Sequence, residues 1–208
     1  MQTSMRYLIT LSLLCAFASQ AGAQPGNSPS VQSPELRQTL LAMYEADQAV
    51  RLGMIEKGWD NIDSLDVARQ DSVDQANRVR LREIIQRHGW PTSAMVGREG
   101  VEAAFLLVQH ADRDPEFQRE MLPLVEQSYE AGDLSGQDVA LLTDRVLVNA
   151  GQAQRYGTQV EIVEGEAVVK PIEHPEQVDE LRAALGMPPL DEYLQELRKL
   201  YGLSDGKQ

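Results

Sequence analysis

Ala103-Ala104-Phe105-Leu106-Leu107-Val108-Gln109-His110-Ala111-Asp112 decides how this chain folds. Its first six residues are apolar on every side, so a helix there buries its whole circumference and must stand at the centre of a helical packing. The spacing predicts a helix over residues 98–111. Gln109, His110 and Asp112 close the most apolar run of the chain with polar groups. Working outward, Ser33-Pro34-Glu35 reads as a helix start, and the helix runs to about Lys57 with the stripe Leu36, Leu40, Met43, Val50, Met54. A second helix is expected from about Ser64 to Arg87, with Val73, Leu81 and Ile84 on its buried line and Gly89 and Pro91 as its stop. Asp114-Pro115 opens another helix, which ends at Ala131-Gly132 and should kink at Pro123. Ser135-Gly136-Gln137-Asp138 is a capping box for a fifth, ending near Asn149.

The pattern then changes from period 3.6 to period 2. Thr158–Val163 and Ala167–Ile172 read as a hairpin about Glu164-Gly165-Glu166. Two short helices follow, about Pro175–Leu185 and Pro189–Tyr201. The expectation is a mainly α fold: a single domain over residues 34–203 with about seven helices and one small β-hairpin.

Ahead of it, residues 1–23 have the form of a secretory signal peptide. Arg6 is the basic start, Tyr7–Ala18 the apolar run, and Ala21-Gly22-Ala23 the small-residue cleavage site. An uncleaved anchor is disfavoured by the short apolar run. Lipidation at Cys15 is disfavoured because Leu14 precedes it. Residues 24–33 form a flexible polar linker and residues 204–208 a frayed tail. The expected location is exported, periplasmic or extracellular.

The chain has 208 residues, 19 Lys+Arg, 32 Asp+Glu and a formal net charge of −13. Loss of residues 1–23 removes Arg6 and no acid, which takes the charge to −14 over 185 residues. That balance argues against nucleic acid and anionic membranes as partners. It leaves a small polar molecule or an envelope component. The lone cysteine, Cys15, goes with the signal peptide, so the exported chain has neither a disulfide nor a thiol nucleophile. No His-Glu-x-x-His run, EF-hand loop, Gly-x-Ser-x-Gly elbow or phosphate-binding glycine loop occurs, so no metal and no particular cofactor is indicated.

The chemistry lies where polar residues interrupt apolar stripes. Asp47 stands between Met43 and Val50, with Arg51 four residues on. Asn77 stands between Val73 and Leu81. Asp144 and Arg145 stand between Leu141-Leu142 and Val146-Val148. In Gln154-Arg155-Tyr156-Gly157-Thr158-Gln159, entering the hairpin, Tyr156 and the two glutamines offer hydrogen bonds without charge and suit a neutral ligand such as a sugar or an amide. Two readings stay open: a satisfied structural network in a non-catalytic envelope-binding module, or a cleft. In the cleft reading the reaction class is hydrolysis. His110 is the acid or base, oriented by Asp47 or Asp144, and Arg145 stabilises negative charge. Arg51, Asn77, Gln109, Arg145, Tyr156 and Gln159 are the candidate ligand contacts.

These residues also carry a family resemblance. Asp47-Gln48 with Arg51, Gly89-Trp90-Pro91, Val96-Gly97, Gln109-His110-Ala111-Asp112, Leu122-Pro123-Leu124 and Asp144-Arg145-Val146 follow the pattern of the bacterial family called domain of unknown function 6624. Tyr156-Gly157-Thr158-Gln159, Pro171-Ile172-Glu173, Val178-Asp179, Arg182, Gly186, Pro189-Leu190 and Tyr193 continue it. The chain resembles that family over about Leu36–Tyr201, and departs from it at His174, where an acidic residue is expected before Pro175. The resemblance implies one domain, often exported, and supplies no reaction or cofactor.

Overall fold

The computed structural model describes residues 31–58, 61–163 and 166–203. The expected signal peptide, most of the expected linker, Glu164-Gly165 of the expected hairpin turn and the expected frayed tail lie outside the described residues. Among those described, the fold is mainly α: seven helices and one two-stranded antiparallel hairpin. Contacts gather the chain into two compact units, one closing at Leu134 and one built from Ser135 onward.

The first unit holds α1 (Pro34–Lys57), α2 (Ser64–His88), α3 (Ser93–Gln109) and α4 (Pro115–Glu130). α1 packs chiefly on α3 and secondarily on α2, and α3 also meets α2 and α4. Every residue from Ala103 to Gln109 is buried, so α3 is the centre its composition calls for. Leu40, Leu81, Val96, Val101, Val108, Phe117 and Val125 are fully enclosed and make the core.

Helix α3 begins at Ser93, five residues ahead of the expected start. Thr92 caps it by accepting from the Met95 N–H. The helix then breaks at Gly97, whose φ of 73° and ψ of 164° are non-helical. Glycine is required there twice over. The positive φ excludes side chains, and a Cβ would lie 2.6 Å from Arg37 Nη1, which donates to the Val96 carbonyl at 3.1 Å. α2 is capped by Asp63, one residue before the expected start. Asp63 accepts from the N–H groups of Leu65 and Asp66 at 2.8 and 3.1 Å, and Asp66 accepts from the Asp63 N–H at 3.0 Å. Ser33 occupies the N-cap of α1 without a side-chain bond, so Pro34 and the acid Glu35 mark that start. α4 continues through Pro123 as one helix.

The second unit holds α5 (Gly136–Asn149), β1 (Val160–Val163), β2 (Glu166–Val169), a single 3-10 turn (Pro175–Gln177), α6 (Val178–Ala184) and α7 (Leu190–Tyr201). The Ser135/Asp138 capping box forms as expected, with the Ser135 N–H donating to Asp138 at 2.8 Å. β1 pairs with β2 from Val160↔Val169 to Val163↔Glu166. Val160, Tyr193, Leu194 and Leu197 form a small core of their own, joined by Ile162, Ala167, Val169 and Leu190. Gly136 lets α5 approach the end of α6: a Cβ there would fall 2.1 Å from the Leu185 carbonyl oxygen.

Candidate functional site

The first unit brings together Asp47 and Arg51 of α1, Asp74 of α2, and His110 just past α3. Asp47 and Arg51 are one helical turn apart, so their side chains share a face. Asp47 is fully buried and His110 is 3% exposed. His110 Nδ1 lies 2.9 and 2.8 Å from the two Asp47 carboxylate oxygens. Arg51 donates to Asp47 at 2.7 Å and, with both terminal nitrogens, to Asp74 at 2.9 and 3.0 Å. Gln48 adds a bond to Asp47 at 2.8 Å.

Burial acts to raise the Asp47 pKa. His110, then Arg51 and Gln48, outweigh it and hold the carboxyl below its usual range. Asp47 is therefore an ionised acceptor, and the His110 nitrogen facing it must carry the hydrogen. The other nitrogen, Nε2, is buried and has no hydrogen-bond partner among the described residues. Burial raises the Asp74 carboxyl, against the pull of Arg51. Asn77 donates to the Met43 carbonyl at 3.3 Å and so ties α2 to α1. Gln109 is buried at the end of α3, and its backbone carbonyl accepts from Gln118 Nε2 at 3.1 Å. Gln118 also donates to the Val108 carbonyl at 3.2 Å, which accepts from the Ala111 N–H at 3.1 Å as well.

The second unit holds Asp144, Arg145, Tyr156 and Gln159. Asp144 is fully buried. It accepts from the backbone N–H of Arg155 at 2.7 Å, of Tyr156 at 3.0 Å and of Thr158 at 2.9 Å, and from the Thr158 hydroxyl at 2.9 Å. Burial raises its pKa against these four donors. Gln159 donates to the Leu141 carbonyl at 3.2 Å and to the Thr158 hydroxyl at 3.1 Å. Arg145 is buried in α5. Tyr156 is half-buried, and its carbonyl accepts from Arg182 at 2.7 Å. Arg182 is wholly buried, lies over the Tyr193 ring at 4.8 Å and has its pKa lowered by desolvation.

The structure thus sorts the nine sequence candidates into two groups, each within one unit. Asp47, Arg51 and His110 touch directly, with Asn77 and Gln109 on the same helices or their neighbours. Asp144, Tyr156 and Gln159 join through the loop that leads into β1, and Arg145 follows Asp144 in α5. Asp74, Gln118 and Thr158 were not among the candidates. Asp74 had a signal: it lies three residues before Asn77, and both fall on the line that continues through Leu81 and Ile84. Among the described residues no three metal-binding side chains cluster, and no helix is long and apolar enough to cross a membrane.

No curated protein and no solved structure matches the chain. A family model does match, over residues 34–205, and it takes in both groups of buried polar residues. The chain belongs to that family, described as a family of unknown function, DUF6624.

Proposed function

We propose that the first unit carries a general acid–base centre on His110 and that the protein is a hydrolase of a small polar substrate. The observation that carries this reading is the buried Nε2 without a partner. An unsatisfied buried acceptor costs about 1–3 kcal/mol, and this one sits on a ring whose other nitrogen is fixed by an ionised carboxylate. In the neutral ring that pairing places the hydrogen on Nδ1 and the lone pair on Nε2. Arg51 and Asp74 in turn keep the Asp47 carboxylate from rotating. An imidazole so placed takes a proton from water or a substrate hydroxyl and returns it to the leaving group.

The test is a panel of chromogenic esters, phosphoesters, glycosides and amides, run with the wild type, His110→Asn and Asp47→Asn. Asparagine can place its amide N–H where Nδ1 stands, two bonds from Cβ, and so keeps a donor for Asp47 while deleting Nε2. The expected result is turnover of one class that falls at least about 100-fold in His110→Asn. Equal turnover by the variant, or none by the wild type on any class, refutes the proposal. So does a nitrogen-15 spectrum that places the His110 hydrogen on Nε2.

A second reading is favoured by Asp144, whose acceptor positions are taken up by four donors. We assign it to holding the hairpin-entry loop, the role such a group has in a non-catalytic envelope module. Residues 1–23 support export. Sequencing the N-terminus of protein recovered outside the cytoplasm tests this, with Gln24 as the expected first residue.

A further inference from the structure

The buried polar groups of the second unit converge on one stretch, Gln154–Gln159. Asp144 holds three of its N–H groups. Arg182 holds the Tyr156 carbonyl at 2.7 Å, while its Nε is anchored on the Pro188 carbonyl at 2.7 Å. Gln154, fully buried, donates to the carbonyls of Gln159 and Lys170 at 3.0 and 2.9 Å and accepts from the Gln159 N–H at 2.7 Å. A parallel bridge between Gln154 and Ile172 then fixes a second segment beside the first, with the Glu173 N–H donating to the Gln154 carbonyl at 2.8 Å.

Two backbone segments are therefore locked side by side, and the side chains they turn outward share a pocket. Arg155, Tyr156, Glu173, His174, Gln177 and Leu181 line a cavity of about 340 Å³. That size falls at the lower end of small-molecule sites, about 300–1,000 Å³.

We propose that this pocket binds a neutral carbohydrate. Three features of the lining support that class. Among the lining residues Arg155 and Glu173 carry opposite formal charges, and His174 lies 3.9 Å from Glu173 and 3.5 Å from Glu176. The lining itself therefore has no formal surplus charge to hold an ion. The polar side chains are planar and mix donors with acceptors: Arg155 donates, Glu173 accepts, and Gln177 does both. Hydroxyls on neighbouring carbons of a sugar ring need that mixture. Tyr156 and Leu181 supply apolar surface for the C–H face of the ring. Locking the backbone behind the pocket also lowers the ordering cost of a weak polar ligand. The proposal is independent of the role of His110.

The full exported chain is titrated with maltotriose, cellotriose and chitotriose, and with trigalacturonate and a chitosan trimer as charged controls. Backbone amide shifts are followed by NMR. One neutral trisaccharide is expected to saturate, with shifts centred on residues 155–156 and 173–177. Tyr156→Ala should weaken it by roughly tenfold and Tyr156→Phe by less than about threefold. Gln177→Ala, at an exposed position, should weaken it by about fivefold and decides the matter if Tyr156→Ala does not fold. The proposal is overturned if no neutral trisaccharide shifts these amides. It is also overturned if a charged trimer binds as tightly, or if the folded Tyr156 and Gln177 variants bind like the wild type.

Discussion

Asp144→Ala removes one carboxylate and strands four donors. Each hydrogen bond to a charged acceptor contributes about 1.5–3 kcal/mol, so the four bonds total on the order of 6–12 kcal/mol before burial of the charge is set against them. That burial costs several kcal/mol, and the raised Asp144 pKa shows that it outweighs the pull of the donors on the charged form. The loss in Asp144→Ala therefore comes from the donors left without an acceptor, about 1–3 kcal/mol for each that water does not reach, and should be about 3–5 kcal/mol, a large share of a typical domain stability of about 5–15 kcal/mol. Thr158→Val deletes the hydroxyl, which is one donor to Asp144 and an acceptor for Gln159 Nε2, and should lose about 1–2 kcal/mol. Urea unfolding at neutral pH measures both. Hydrogen exchange localises the effect, because the amides of Arg155, Tyr156 and Thr158 should lose protection together in Asp144→Ala. A loss below about 1 kcal/mol, or unchanged exchange at those three amides, would show that the loop holds itself and that the carboxylate is not its anchor.

Two further outcomes follow from the geometry. Asp47 has its pKa depressed in the folded state, so its stabilisation is present above the ordinary carboxylate value, about 3.9, and is lost as the pH falls through the lower folded value. Asp47→Asn should therefore flatten the acid limb of the stability–pH curve and cost about 3–5 kcal/mol at pH 7 by leaving Arg51 partly unpaired; an acid limb identical to the wild type contradicts this. Gly136→Ala should lose about 1–3 kcal/mol in thermal unfolding through the clash with the Leu185 carbonyl, and a neutral result would mean that α5 and α6 can part there at no cost.

Local order was readable where it depends on neighbours in sequence. The Ser135/Asp138 box, the hairpin and the all-apolar turn of α3 are short-range patterns, and each forms as its residues imply. The Asp47–Arg51 pair follows from a spacing of one turn. The early start of α3 was hidden because Gly97 interrupts its periodicity, so the turn ahead of the break looked like loop. Which carboxylate stands against His110 was not readable, since Asp47 is 63 residues away and either acid had a suitable helical face. Asp144 illustrates the limit from the other side. A buried acid reads the same in sequence whether it meets an imidazole or a row of backbone N–H groups, and only the path of the loop after α5 distinguishes them.

The order of packing in the first unit has a consequence for synthesis. α1 rests chiefly on α3 and only secondarily on the helix that follows it in the chain. Leu40 and Met43 therefore leave the ribosome long before their main cover exists, and they stay exposed while residues 58–109 are made. At about 5–20 residues per second this window lasts several seconds. A nascent chain halted before Phe105 should bind a hydrophobic-surface chaperone, and one halted well beyond Gln109 should release it.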